Sequence, residues 1–287
     1  MRCALVAGLL VATSAQGQTW QTLTQARRVS GEEQLRVHVE HGAGDLHIHP
    51  AGAGQLYRVA LRYDEDTFSP LVRYTASASS LHVTMESITR RGHNRDFNWD
   101  DEDAQTLDLQ LTPDVPLALS VRFGAGRADV DLGGLNIQTL EVQTGASESR
   151  LRFDTPNAGL CSRMELKVGA AEFRATGLGN ARCATITLEA GVGDILLDLT
   201  GDLPEGFDGT VSVHMGLGGL EIQVPEHLGV RLNVRRFLAS VERVGFIREA
   251  DGAWVTPNWN EATRKVTLSI RAVLGSIEIV RLANSGS

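Results

Sequence analysis

Apolar and polar residues alternate along most of the chain, and between Leu119 and Ile222 the alternation recurs as a unit. Five copies align on Gly124, Gly145, Gly169, Gly191 and Gly216, at spacings of 21, 24, 22 and 25 residues. Five places before each anchor stand Leu119, Leu140, Met164, Ile186 and Val211; three places before stand Val121, Val142, Leu166, Leu188 and Val213. Four places after come Ala128, Ser149, Phe173, Ile195 and Leu220; six places after, Val130, Leu151, Ala175, Leu197 and Ile222. The residue two places after is always small: Gly126, Ser147, Ala171, Gly193 or Gly218. Alternation on both sides of a glycine predicts a strand with one buried face, a corner, and a second such strand. A residue without Cβ can take the corner, and the small residue beyond it is expected to face the crowded inside. One unit of roughly 22 residues buries no core alone, so copies must stack, with equivalent residues about 4.8 Å apart.

Looser copies lie outside the five. Val37, Val39, Gly42, Gly44, Leu46 and Ile48 fit every position. Leu268, Ile270, Gly275, Ile277 and Ile279 fit around Val273 as anchor, and Leu232, Val234, Ala239 and Val241 fit around Phe237, with Arg243 breaking the last place. Between these copies, Thr19 to Ser30 is polar and is expected to wrap the surface. Tyr57 to Tyr63, Leu71 to Thr75 and Leu81 to Met85 alternate and are expected to form antiparallel hairpin strands. Thr89 to Gln105 is charged and predicts an exposed loop, and Leu107 to Leu111 runs into Pro113 and Pro116. Val230 to Val241 continues the stack weakly, Gly245 to Asn260 is irregular, and Val266 to Val280 reads as a closing strand pair. No segment has a helical period. The expected fold is all-β: a repetitive stacked β-coil (β-solenoid or β-prism-like) with an antiparallel, hairpin-rich N-terminal part. The expected organisation is a signal peptide over 1–17, an N-terminal β part over 18–112 and a coil part over 113–283, the last two continuous.

Thirty glycines suit a turn-rich β protein, and the formal net charge is −8. An acidic chain with no basic block argues against nucleic acid as a partner, because such binding depends on neutralising phosphates. Arg2, the apolar run from Ala4 to Ala12 and the small-x-small site Ala15-Gln16-Gly17 have the form of an export signal. No stretch approaches 18 apolar residues, so no transmembrane anchor is expected after cleavage. Export makes the cysteines informative. Cys161 and Cys183 each stand eight places before their own anchor, in neighbouring copies, so in-register stacking brings them within disulfide range. The alternative is two buried free thiols.

The Gly-Ala-Gly strand from Gly42 to Ile48, the hairpins after it, the Trp99 loop and the Pro-Leu-Ala-Leu run from Pro116 resemble the toast-rack N-terminal domain. So does Gly124-Ala-Gly-Arg-Ala-Asp-Val-Asp-Leu-Gly-Gly-Leu135. The closing strands, Leu268 to Ile279, are similar to the C-terminal β part of the cell-wall-stress regulator LiaF and to adhesin-like domains of the same architecture. The resemblance spans about Leu35 to Leu282 and implies an exported or envelope-associated bacterial protein without an established catalytic role. It supplies no catalytic residues.

Candidate chemistry is sparse. His47 and His49, with His38 and His41 nearby, could share zinc or copper, but spacing places no further ligands. Asp100-Asp101-Glu102-Asp103 could attract calcium but lacks an EF-hand's glycine and spacing. Gly124-Ala-Gly126 lacks the third glycine and helix of a dinucleotide site. The outward column two before each anchor carries Arg122, Gln143, Lys167, Glu189 and His214; five after, Asp129, Arg150, Arg174, Leu196 and Glu221. Neither offers a glycosidase carboxylate pair; Lys167 beside Glu189 and Asp129 beside Arg150 are expected to form surface pairs. No cofactor, metal or reaction is expected. The function expected is an exported envelope protein with an adhesin-like or scaffold role. A LiaF-like stress-sensing ectodomain and a carbohydrate-active enzyme are the alternatives. Partners would be an envelope component, a glycan or a protein, contacted through loop aromatics Trp99, Trp254 and Trp259 or the flat outward columns; the alternative for each tryptophan is a cap on the open end of the core.

Overall fold

The computed structural model describes residues 19–87 and 105–283. The expected leader over 1–17, the expected loop carrying Trp99 and the Asp100–Asp103 run lie outside the described residues. The strands are β1 (Trp20–Arg28), β2 (Leu35–Pro50), β3 (Gln55–Asp64), β4 (Phe68–Thr75), β5 (Ser80–Ser87), β6 (Thr106–Leu111), β7 (Leu117–Asp131), β8 (Ile137–Arg152), β9 (Cys161–Thr176), β10 (Cys183–Asp198), β11 (Asp208–Pro225), β12 (Gly229–Arg243), β13 (Ile247–Arg248), β14 (Trp254–Val255) and β15 (Lys265–Leu282). A turn of α-helix, α1 (Leu178–Ala181), and a 3-10 turn (Ala76–Ala78) interrupt them. The fold is nearly all-β, a stacked β-coil as expected.

Each repeat copy forms one long strand with a leg on either side of its anchor. The copies are parallel and in register. Val121 faces Val142, Val142 faces Leu166, Leu166 faces Leu188, and Leu188 faces Val213. The files five and three before the anchor, and four and six after it, line one buried core through the five central copies. A further file lies one place before the anchor. It runs His41, Phe123, Thr144, Val168, Ala190, Met215 and Ala272, all buried, and ends at exposed Arg236. The connectors close the core with Leu132, Leu135, Phe153, Leu178, Leu199 and Leu203. They stack as well: Leu132 N donates to Arg152 O, Phe153 N to Thr176 O and Leu199 N to Gln223 O. The buried Asn157 side chain stitches two of them, donating to Ile137 O and accepting from Ile137 N.

The two glycine positions work for different reasons. At the anchor, the backbone of the next coil approaches closely: a Cβ on Gly216 would stand 2.4 Å from Gly191 O. Two places on, the backbone turns left-handed at Gly126, Gly193 and Gly218, though not at Ser147 or Ala171. Gly193 has φ +145°, and a Cβ there would lie 1.8 Å from Ala171 O, so only glycine fits.

Stack order departs from chain order at one end. The sheet runs β1-β3-β6-β2-β7-β8-β9-β10-β11-β15-β12-β14-β13. The last copy in sequence, β15, pairs with β11 on one side and β12 on the other. The Val230–Val241 copy therefore does not follow the fifth; it is the terminal coil. At the opposite end, β2 is covered along both legs. Its first leg pairs with β5 in the β4–β5 hairpin, and its second with β6, which carries β3 and β1. Thr19–Ser30, expected as a surface wrap, mostly forms edge strand β1 antiparallel to β3.

Candidate interaction surface

The anchor glycines lack side chains, and they face outward. Gly169, Gly191 and Gly216 thus floor a trough of about 840 Å³ running along the stack. Val273 and Phe237 occupy the same place in the last two coils and close it; Phe237 is 76% exposed. One wall is the column two before the anchor. In stack order it reads Glu40, Arg122, Gln143, Lys167, Glu189, His214, Arg271, Arg235, each opposite the next. Beside the trough runs the column one after the anchor, which grows from Ala125 and Ala146 to Val192, Leu217, Leu274 and Leu238, the last four exposed.

Around the open end the inward positions change character. Val234 and Val241 are only partly buried, and Arg236 and Arg243 stand where other coils place apolar or small side chains. They border a second cleft of about 500 Å³ with Trp254. The Arg243 guanidinium stacks over the Trp254 ring at 3.8 Å, and Trp254 packs against the core edge. Trp259 is half-buried and takes Lys265 Nζ over its ring at 5.2 Å. Trp254 and Trp259 therefore sit at the covered part of the open end, each already engaged by a cation. Trp99 is outside the described residues.

Ion pairs cover much of the rest of the coil surface. Arg122 donates to Glu40 at 2.8 Å, Arg174 to Glu172 at 2.7 Å and Arg182 to Asp202 at 3.0 Å. Asp129 takes Arg152 at 2.7 Å instead of the expected Arg150, which turns to Glu148 on its own strand. Lys167 and Glu189 do face each other across the β9–β10 ladder. By contrast, no ion pair joins Arg235, Arg236, Arg243 or Arg271 to a carboxylate among the described residues. On the second leg of the same coils, Glu221, Glu278 and Glu242 lie opposite one another. The open end thus carries Arg235, Arg236 and Arg271 on one leg and the column Glu221, Glu278 and Glu242 on the other, with Arg243 next to that acidic column.

Of the histidines, His49 pairs with Asp108 at 3.1 Å and His38 with Glu40 at 2.9 Å. No group of three metal-ligating side chains gathers among the described residues. His41 is buried against Phe123, and neither ring nitrogen has a hydrogen-bond partner. Burial lowers its pKa from 6.5 to about 4, opposed by the nearby Asp45 main chain. Cys161 and Cys183, direct neighbours across the β9–β10 ladder, form a disulfide with Cα atoms 4.1 Å apart.

The basic end of the trough was missed from sequence because Arg235 and Arg271 belong to looser copies and become neighbours only through the β15 insertion. The signal available was Arg243 at an inward position, which a coil tolerates only where solvent reaches it.

Residues 14–160 match the family of the N-terminal domain of toast_rack. Residues 177–279 match the C-terminal part of LiaF, described as a cell wall-active antibiotics response protein. Among solved structures, the chain is similar to a candidate cell adhesion protein from Clostridium sporogenes, at 15% identity and a TM-score of 0.49, covering 92% of this chain and 100% of that one. A candidate adhesin from Bacteroides fragilis is 13% identical with a TM-score of 0.43, covering 91% and 97%. Among curated proteins none matches. No helix among the described residues is long and apolar enough to cross a membrane.

Proposed function

Because the chain belongs to the family of the toast_rack N-terminal domain, we propose that it is an exported, non-catalytic binding protein of the bacterial envelope whose contact surface is the glycine-floored trough. The observation that carries this reading is the trough itself, a groove of about 840 Å³ along repeated coils. Grooves that run along a solenoid suit extended partners, because each coil presents an equivalent contact. The disulfide between Cys161 and Cys183 suits an oxidising compartment, and the export signal expected over residues 1–17 agrees with it. Trp254 borders the end cleft.

The match of residues 177–279 to LiaF favours a second reading, a sensory ectodomain for envelope stress. Both readings use the trough, and they differ in the consequence of binding: retention of a partner in the first, transmission of a signal in the second. Capture from envelope extract tests the first. His214→Trp fills the trough from an exposed position, so it should abolish retention of whatever the unmodified protein holds. Equal capture by the two proteins would remove the trough from the function.

A further inference from the structure

The end of the trough carries charge that no carboxylate pairs with among the described residues, although Arg236 donates to Ala239 O. Arg271 stands directly opposite both His214 and Arg235 in the parallel ladder, and Arg236 lines the trough and the end cleft together. Like charges directly opposite destabilise a strand pair. On other coils Arg122, Arg150, Arg152 and Arg174 meet carboxylates; among the described residues Arg235, Arg236 and Arg271 meet none, although Glu189 and Asp251 border the two clefts. A run of basic side chains in a chain of net charge −8 concentrates a local positive field that a ligand can satisfy. Guanidinium groups match carboxylates in planar, two-bonded pairs.

We propose that the trough binds an acidic polysaccharide, with carboxylates of the sugar units held by Arg235, Arg271 and Arg236. This rests on the trough being the contact surface. The wall is not uniformly basic: Glu189 stands between Lys167 and His214, with Gln143 beyond. A guest carrying acids alone would be repelled at Glu189. A polymer bearing hydroxyls as well as carboxylates gives Glu189 a donor and Gln143 both kinds of partner. The exposed Phe237 at the trough's end offers an apolar face to a sugar ring. A broad membrane surface or duplex nucleic acid would also overlie the second leg, where Glu221, Glu278 and Glu242 oppose it.

The test measures binding of the full chain to polygalacturonate, polyglutamate and neutral dextran at low and high salt. Variants are Arg235→Ala and Arg271→Ala, both at exposed positions, and Arg174→Ala on the second leg. Polygalacturonate should bind, dextran should not, and high salt should release it. Each trough substitution should weaken binding about tenfold, in the range of one charge-assisted hydrogen bond; Arg174→Ala should bind as the unmodified chain does. Unchanged melting temperatures exclude misfolding. Equal binding of polyglutamate, indifference to Arg235→Ala and Arg271→Ala, or a self-associated form dissolved by those changes would each overturn the proposal, the last in favour of a second copy. If none of the polymers binds but His214→Trp still abolishes envelope capture, the acidic ligand falls and the binding trough stands. If capture is also unaffected, both fall.

Discussion

The stack ends in two ways. At β2 both legs are covered, by the β4–β5 hairpin and by the β6–β3–β1 layer, and Leu81, Val83, Met85, Leu107, Leu109 and Leu111 seal the core. At β12 the covered stretch is the start of the first leg, Val230 to Leu232, held by β14 and Thr256, and the inward positions give way to Val234, Val241, Arg236 and Arg243. One file shows the contrast directly: its position before the anchor holds His41 at the closed end and Arg236 at the open end. The first is buried and neutral, the second exposed and charged. A closed end stabilises the coils; an open end keeps groups free for contact, at some cost to the coils beneath it.

Substitution inside the two ends should separate them most. Leu109→Ala should cost about 3 kcal/mol or more, with transfer and cavity terms adding, while Val234→Ala should cost under about 1 kcal/mol because solvent already reaches it. Urea unfolding measures both, and similar losses would erase the difference. The disulfide joins the middle coils. Replacing Cys161 and Cys183 with serine should cost about 3 kcal/mol in the chain-entropy model and let calorimetry resolve the two ends as separate transitions. Acid should attack the closed end. His41 has a folded pKa of about 4 against 6.5, so the unfolded chain binds the proton first. Its stability contribution is complete above about pH 6.5 and is lost as pH falls toward 4, by at most about 3 kcal/mol. His41→Leu should flatten that decline. Hydrogen exchange should be faster in the outer amides of β12 than in those of β2; equal protection would mean the open end is covered. The smallest effect separates the surfaces: Arg174→Ala should cost under about 1 kcal/mol, and Arg235→Ala should cost nothing or stabilise slightly by relieving Arg271.

The coils were legible because alternation and glycine spacing recur: the four apolar files named from sequence line the core through the five central copies, while the small residues two after the anchor are only partly buried, and the cysteine register comes from the same count. The order of the last two copies was not legible. Leu232–Val241 and Leu268–Ile279 fit the pattern, and alternation encodes which face is buried, not which neighbour a strand takes. Arg243 alone distinguished them. The file through His41 and Thr144 was hidden because its residues share neither polarity nor size. The β1 edge was hidden because an edge strand exposes most of its side chains, so Gln21, Gln25 and Arg27 mimic a loop.

The insertion of β15 between β11 and β12 sets a schedule. A chain delivered from its N-terminal side can add β7 through β11 to the growing stack one by one, in the order in which they arrive. β12 arrives with no partner waiting, since its place is beyond a strand that has not yet appeared. Its coil-to-coil ladder exists only with Lys265–Leu282 in the place between, so the basic terminus of the trough depends on a strand delivered after it.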